Sequence, residues 1–564
     1  MAFNACMAVA IVAGVFSAIV TILLVANFVQ IRLADPLDEP HLAALRREIA
    51  ASPSASPEIV AQIEALDLLA RKAYFTSQAH VRAGAWLLLG GVAAFLASLR
   101  LAASFRPHIP NPEGAGGGDS FWRARSQARR WITVAGGAFF TAGLAAALFT
   151  DLRIPTEPAD AIELAAREEQ FVAPDWDEIR HNWPSFRGPG GIGVAHHENA
   201  PSEWDGESGK NIKWKTEIPL PGHNSPVVWG GRVFLTGATE DEREIYAFDA
   251  ETGDLVWRHA AAATPGVDPP GFFPDTGYAP STMVAHGSMV FAIFTTGDVV
   301  ACDYDGNLVW QRNLGRPDND YGHSSSLLAY DNLLYVQFDQ YTDSKLLALD
   351  VADGREAWVR PRERISWASP ALIRHEGELQ LILNSERYVD SYHPLTGKHL
   401  WQVDCLSGEV APSPAYGGGI LFVANEYAWA TAIRLGGTPD EPTAETMWDW
   451  DYALPDISSP AGDGSHFYLA TSMGYVVCLD AESGETAWYE MYDEGFSSSP
   501  VIVGDRVFVT DRNGKTYVFK RGGELDLVAK SPLGERVSAT PAFLDNRIYI
   551  RTEEHLWCVA AGDE

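Results

Sequence analysis

The sequence predicts an all-β, eight-bladed β-propeller preceded by an α-helical membrane region with three transmembrane helices. Three observations carry that expectation. A phrase ending in Trp recurs at spacings of 40 to 53 residues, eight Ser/Thr phrases open strand pairs, and three long apolar segments crowd the first 150 residues.

The 564 residues carry a net charge of −32. Residues 1–150 hold 12 basic and 9 acidic side chains, net +3, whereas the remainder holds 30 and 65, net −35. So acidic a remainder repels phosphate backbones and excludes nucleic acid as a partner. Its recurrent Trp, Tyr, Phe, Val and Ile argue against disorder. The five cysteines, Cys6, Cys302, Cys405, Cys478 and Cys558, form no CxxC and no adjacent pair. A disulfide framework and a zinc site are therefore not expected.

Residues 3–31 contain no charge, and a bilayer core needs about 20 apolar helical residues. A cleaved signal peptide would need a basic start, a shorter apolar run and a small-residue cleavage site, none of which is present. Residues 83–105 form a second span, whose Arg100 lies near its end and can snorkel. Residues 131–150 form a third, opening on an interfacial Trp131. The loop between the last two carries Arg106, Arg123, Arg125, Arg129 and Arg130 against Glu113 and Asp119. Positive-inside bias places this loop in the cytoplasm. The expected location is then a bacterial cytoplasmic (inner) membrane, multi-pass, with everything after Thr150 periplasmic. Helical spacing of Leu42, Leu45 and Ile49, then of Ile59, Ile63, Leu66, Ala70 and Ala73, predicts an extracytoplasmic helical hairpin over 40–80. Residues 151–182 are an acidic linker, and 183–564 are the propeller.

The recurring phrase runs Asp249 to Gly253 and Trp257, then Asp303, Gly306 and Trp310, Asp350 to Gly354 and Trp358, His393 to Gly397 and Trp401, and Asp480 to Gly484 and Trp488. Trp214 and Trp448 end degenerate copies. Ahead of each copy stands a Ser-Pro or similar pair followed by two short apolar runs: Ser225, Ser281, Ser325, Ser369, Ser413, Ser459, Ser499 and Thr540 begin the eight. The seventh unit reads as strands Val501–Val503, Arg506–Thr510, Thr516–Lys520 and one near Leu525–Ala529, joined at Gly504-Asp505 and Asn513-Gly514. Four strands in 40 to 50 residues is the pattern of a propeller blade. Asp bonds backbone amides of the turn, Gly takes positive φ, and Trp packs on the next blade. The seven tryptophans are scaffold. Cys302, Cys478 and Cys558 read as small core residues at one shared third-strand position.

The last unit stops one strand short, after Leu556–Val559. Asn211–Lys215, with Trp214, supplies the missing strand and would close the ring, removing its exposed edges.

This phrase, set in eight successive units, resembles the pyrroloquinoline-quinone-like (PQQ-like) β-propeller family. The resemblance covers about 182–562 and implies fold more than function. Its members include quinoprotein alcohol dehydrogenases, which bind PQQ and calcium, and the non-enzymatic propeller lipoprotein of the outer-membrane β-barrel assembly machinery. Trp183-Pro184-Ser185-Phe186-Arg187-Gly188-Pro189 and Tyr321-Gly322-His323-Ser324-Ser325 resemble motifs of a further bacterial subgroup. No lipobox Cys follows the first apolar run, a departure from the lipoprotein.

The resemblance to the dehydrogenases implies two adjacent cysteines against the cofactor, a stacking Trp, and Glu, Asn and Asp about calcium. The cysteines are missing. Topology points the residues just ahead of each first strand at the central channel: Asn224, Tyr278, His323, Trp367, Glu409, Asp456, Phe496 and Arg536, with His223 beside the first. Their variety suggests recognition. As a ligand funnel they would offer Trp367 for stacking and Glu409 and Asp456 as carboxylates. No catalytic residue, metal ligand or cofactor is assigned. Gly188–Gly193 lacks the strand and helix of a phosphate cradle and reads as a flexible turn. His196-His197-Glu198 lacks metal-ligand spacing and reads as exposed loop.

Two functions follow. One is a membrane-anchored extracytoplasmic propeller binding a protein or envelope partner, as scaffold or sensor. The other is a PQQ-dependent quinoprotein oxidoreductase of alcohols or sugars.

Overall fold

The computed structural model describes residues 9–16, 19–20, 98, 171–264, 276–439 and 441–561. The chain divides into two compact units, Met1–Gln170 and Phe171–Glu564. In the first, residues 9–16 and 19–20 are helical. Among the described residues no helix is long and apolar enough to cross a membrane. The three expected spans and the 40–80 hairpin lie almost wholly outside the described residues.

The second unit is built of eight four-stranded antiparallel sheets. Blades 1 to 7 occupy 227–260, 284–313, 328–361, 371–404, 415–450, 461–491 and 501–532. Blade 8 joins Ala542–Leu544, Arg547–Arg551 and His555–Ala560 to the N-terminal strand Ile212–Glu217. In the seventh blade the outer strand is Leu527–Pro532, beginning slightly later than its sequence suggests. Inner strands such as Val227-Val228-Trp229 are buried on both faces and so are wholly apolar. Outer strands such as Leu255–Ala260 are mostly exposed. Hydrophobic cores lie between consecutive blades, for example Val300 and Phe294 of blade 2 with Phe234 and Ile245 of blade 1.

The repeated phrase does what its chemistry implies. The Asp249 carboxylate accepts the amides of Glu251 and Thr252, both at 2.9 Å. Gly253 has φ +79°, and a Cβ there would stand 2.6 Å from the Trp214 ring, so the indole of one blade lies on the turn of the next. Five of these indoles also donate to a turn carbonyl, as Trp257 to Tyr304 at 2.9 Å and Trp310 to Val351 at 2.8 Å, whereas Trp358 Nε1 is buried without a hydrogen-bond partner. Trp401 departs from the pattern and donates to Gln380 of its own blade at 2.8 Å.

Opposite the tryptophans the third strand carries a small residue and a register shift. Ala247 faces Trp257, Ala301 faces Trp310, Cys478 faces Trp488 and Cys558 faces Trp214. The bulge turns the strand and the small side chain makes room for the indole. Cys302, however, pairs with Leu308, so it is one residue out of step with Cys478 and Cys558 and its side chain takes the other face.

The Ser/Thr openings form a ring of their own. The amide of Ser225 donates to the Thr282 hydroxyl, Thr282 to Ser326, Ser326 to Ser369, Ser369 to Ser413, Ser413 to Ser459, Ser459 to Ser499, Ser499 to Thr540, and Thr540 back to Ser225, at 2.9–3.1 Å. All eight residues are buried. Innermost amides that have no ladder partner thus find one in the neighbouring blade.

Closure occurs as the sequence indicates. Trp214 pairs with Cys558 and Thr216 with Leu556. Glu535, from the connection between blades 7 and 8, ties the closing strand down. It accepts from Lys215 and Thr552 at 2.6 Å, His555 at 3.1 Å and Trp557 at 3.3 Å. Burial opposes its ionisation, but these hydrogen bonds outweigh it and hold the carboxyl pKa at about 2, below the ordinary 4.5. The folded pKa is depressed, so the stabilisation is present above about pH 4.5 and is lost as pH falls towards about 2. Glu535→Gln should lower urea-unfolding stability by about 2 kcal/mol at pH 7, allowing for solvent screening at a partly exposed site. The difference from wild type should shrink as the measurement moves from pH 5 to pH 3.

Residues 171–182 of the expected linker are packed against the propeller, and 151–170 lie outside the described residues. Within 171–182, helix Trp176–Arg180 is capped by Asp175 and buries Ile179 among residues of blades 1 and 2. Trp183 exchanges backbone hydrogen bonds with Val228, Pro184 accepts from Ala285, and Gly193 accepts from Ile502. The segment therefore crosses from blades 1 and 2 to blade 7. The Gly188–Gly193 turn is ordered and largely buried: a Cβ at Gly190 would meet the Leu372 carbonyl at 2.3 Å. The reading of this run as a flexible turn is corrected by that contact. His196 and Glu198 are exposed, while His197 reaches Asp545 at 3.3 Å.

Candidate functional site

Strand direction alternates within a blade, so two kinds of connection emerge at the end where the inner strands begin. These are the links between blades and the loops between second and third strands. Together they rim a cup of about 890 Å³ over the ring axis. Ring residues Ser225, Thr282, Ser326, Ser369, Ser459 and Thr540 reach its wall, and Phe186 of the leading segment enters from below.

Arg187 holds Phe186 there. Its guanidinium is fully buried and donates to carbonyls of Pro414 at 3.0 Å, Ile192 at 3.1 Å and Pro460. Burial pushes its pKa down to about 9, so it stays charged at neutral pH. One side chain thus joins the leading segment to blades 5 and 6.

One side of the cup is aromatic and acidic. Trp367 is half-buried and fixed from three directions. Its amide donates to Val410 at 2.9 Å, its indole donates to Asn319 Oδ1 at 2.6 Å, and its neighbour Ser366 donates to Asp339 at 2.9 Å. Asp339 is itself held by the buried Arg362 at 2.8 Å, with Asp390 on the far side of that guanidinium at 3.2 Å. Tyr321 meets Trp367 at 84°, ring centroids 5.0 Å apart, and its hydroxyl donates to Glu409 at 3.1 Å. Burial and then the Glu409 charge raise the Tyr321 pKa, which keeps this hydroxyl a donor. Glu426, Tyr427 and Asp456 continue this wall.

The facing side is basic. Arg512 donates to Ser497 at 2.9 Å, Arg536 pairs with Glu553 at 3.1 Å, and His223 lies 2.9 Å from the Ser538 hydroxyl. The cup is therefore uneven in charge: the carboxylates of blades 4 to 6 have no basic partner among the described residues, while blades 7, 8 and 1 bring both arginines of the lining, with Glu553 beside Arg536.

Of the nine channel candidates, His223, Trp367, Glu409, Asp456 and Arg536 line the cup. The others lie elsewhere. Asn224 is buried and bonded to the carbonyls of Thr236 and Ala279 at 2.8 and 2.9 Å and to Arg551 at 2.6 Å. Tyr278 packs against the core between blades 1 and 2. His323 is buried and stacked on Phe338 at 5.4 Å, and burial pushes its pKa down to about 4. Phe496 belongs to the core between blades 6 and 7. At these four positions the chain reaches its inner strand with the side chain turned between blades. Sequence reasoning missed Phe186, Tyr321, Glu426, Tyr427 and Arg512. The loop positions of Glu426, Tyr427 and Arg512, between second and third strands, were the available signal.

The cup does not fit PQQ with calcium. Trp367 is a stacking surface, but the acidic residues do not converge. Among the described residues, the single group of three metal-capable side chains within mutual reach is Glu535, Glu554 and His555, none of which lines the cup. Asn224 spends its amide on the backbone carbonyls of Thr236 and Ala279, and no two cysteines are adjacent. The Glu535 group is already occupied by Lys215, Thr552 and Trp557.

Comparison with known proteins agrees with this architecture. The family model described as outer membrane protein assembly factor BamB (PQQ_2) matches residues 190–329 and 437–562. The BamB of Yersinia pestis is 24% identical over 283 residues, 48% of this chain and 70% of that protein. A polyvinylalcohol dehydrogenase of Sphingopyxis is 24% identical over 163 residues, 26% of this chain and 24% of its own length. Among solved structures, the quinohemoprotein alcohol dehydrogenase ADHIIG from Pseudomonas putida HK5 superposes with a TM-score of 0.50 at 12% identity, covering 69% of this chain and 81% of that one. With eight closed four-stranded blades and the Asp-Gly-Trp phrase in successive turns, the second unit has the fold of a PQQ-like β-propeller, and these matches support that likeness.

Proposed function

We propose that the chain is a membrane-anchored extracytoplasmic propeller that docks a protein partner on its cup face, as scaffold or sensor. The observation that carries this is an exposed apolar surface on blades 5 and 6 beside the cup. Tyr427, Trp429, Tyr452, Ile457, Met473, Tyr489 and Met491 are each at least half exposed. Tyr452 of blade 5 contacts Tyr475 and Tyr489 of blade 6, with centroids at 5.8 and 6.2 Å, so the patch is continuous between blades. Tyr427 and Ile457 carry it into the cup. Exposed aromatic and Met side chains gathered on one face mark protein interfaces. The BamB relatives, named as outer membrane protein assembly factors, support a partner that is a protein.

Anchoring rests on the three apolar segments, and orientation on the Arg-rich loop. The PQQ-dependent oxidoreductase has fold relatives in its favour and the donor set of the cup against it. Reconstitution with PQQ and Ca²⁺ followed by dye-linked alcohol oxidation tests it, and turnover would establish it.

A cysteine replacing Tyr452 should react with an impermeant thiol reagent in spheroplasts, whereas one placed between Phe121 and Arg130 should not; the reverse pattern would invert the topology. A photo-crosslinker at Tyr452 in native membranes should yield a discrete protein adduct. One at Thr252, on a turn at the opposite end of blade 1, should not. Adducts of equal yield from both positions would remove the assignment of the partner to this face.

A further inference from the structure

The acidic wall of the cup carries charge that no described Lys or Arg compensates. On the basic side Arg536 has Glu553 as its counter-ion at 3.1 Å. On the other side Glu409 accepts only from the neutral Tyr321 hydroxyl, and Asp456 from the Ser472 amide at 3.3 Å. Among the described residues no Lys or Arg pairs with Glu409, Glu426 or Asp456. Beside these carboxylates, Trp367 and Tyr321 stand at nearly a right angle and make an aromatic corner, with Tyr427 exposed next to it. Hydrogen bonds to Asn319, Val410 and Glu409 hold both rings in place, so the corner exists before any ligand arrives. Trp367, Glu409, Glu426 and Tyr427 lie between the two stretches matched by the family model, at 190–329 and 437–562.

We infer that this wall takes the ammonium or guanidinium of a lysine or arginine side chain on an extended segment of polypeptide. The inference rests on the reading that the cup face binds a protein partner. A cation against aromatic faces gains from the ring quadrupole, more so when partly desolvated, and nearby carboxylates add Coulomb attraction. Apolar ligands would leave three carboxylates facing them without compensation. Anionic ligands would be repelled on this side. A cup of about 890 Å³ admits a side chain with its flanking backbone, not a folded domain. Ring hydroxyls and the basic wall remain available to that backbone.

A random heptapeptide display library, panned against the full chain in detergent, tests this. The Ala411→Trp variant, which places an indole in the cup lining, is the control. Selected peptides should share Lys or Arg at one position and lose binding on Ala411→Trp. Glu409→Gln, at an exposed position, and Trp367→Ala should each weaken a selected peptide about ten-fold. Glu409→Gln should leave thermal unfolding unchanged, so that weakened binding cannot come from misfolding. Glu409→Lys should redirect selection towards Asp or Glu at the same position. Peptides that are blocked by Ala411→Trp yet carry no shared basic residue would overturn the cation assignment and leave the cup a peptide site. Peptides indifferent to Ala411→Trp, or no enrichment over that variant, would overturn the cup reading itself.

Discussion

Deletion of residues 211–217 from the full chain is expected to abolish the single cooperative unfolding transition of the propeller. These residues supply the outer strand of blade 8, the buried Trp214 and the Lys215 partner of Glu535. Loss of a buried Trp alone costs about 3–5 kcal/mol. Loss of the strand also leaves Leu556–Val559 as an unpaired edge and uncovers the Gly253 turn of blade 1, on which Trp214 rests. The total should exceed about 5 kcal/mol, comparable with the net stability of a domain. Urea unfolding followed by Trp fluorescence, with limited proteolysis of blade 8, measures this. A deletion variant that unfolds as late and as sharply as the intact chain would mean that closure does not depend on this strand.

Arg187→Met should be the most damaging single substitution in the leading segment. The apolar replacement keeps much of the volume but leaves the carbonyls of Pro414, Pro460 and Ile192 buried without a donor. Each unsatisfied group costs about 1–3 kcal/mol, so a loss of about 3 kcal/mol or more is expected. Arg187→Lys should be intermediate, because an ammonium keeps the charge but lacks the planar fork that spans two blades. Guanidinium chloride midpoints for the three proteins decide the order. If Arg187→Met matches wild type, the leading segment is not a structural plug. A second consequence should appear at the cup, since Phe186, the residue before Arg187, reaches its lining.

The blades were legible because their demands are local and repeated. Asp249, Gly253 and Trp257 specify a turn, a positive φ and a docked ring within nine residues, and the same needs return in blade after blade. The closing strand was legible from arithmetic on strands: the last unit lacks one and Asn211–Lys215 is left over. The cup was only partly legible. Trp367 and Glu409 enter it while His323 and Phe496, at equivalent positions in the repeat, turn between blades. Which way such a residue turns depends on what the neighbouring blade offers. For His323 that is the face of Phe338, and for Phe496 it is Tyr492 and Tyr517. No repeat-level rule carries that information.

The amino-acid sequence by itself determined the architecture of this protein: eight units, four strands each, ring closure by the N-terminal strand, and a scaffold role for the tryptophans. It could do so because turn chemistry and strand alternation act over a few residues and recur. Only the tertiary structure decided that Gly188–Gly193 is a packed plug and not a loose turn, that Arg187 clamps it, and that eight Ser/Thr hydroxyls join in one ring. It alone opposed an acidic, aromatic wall to a basic one. Those features arise from residues hundreds of positions apart, such as Arg187 with Pro414 and Pro460, or Thr540 with Ser225. They meet only because the ring closes, and the chemistry of a cup depends on which side chains meet.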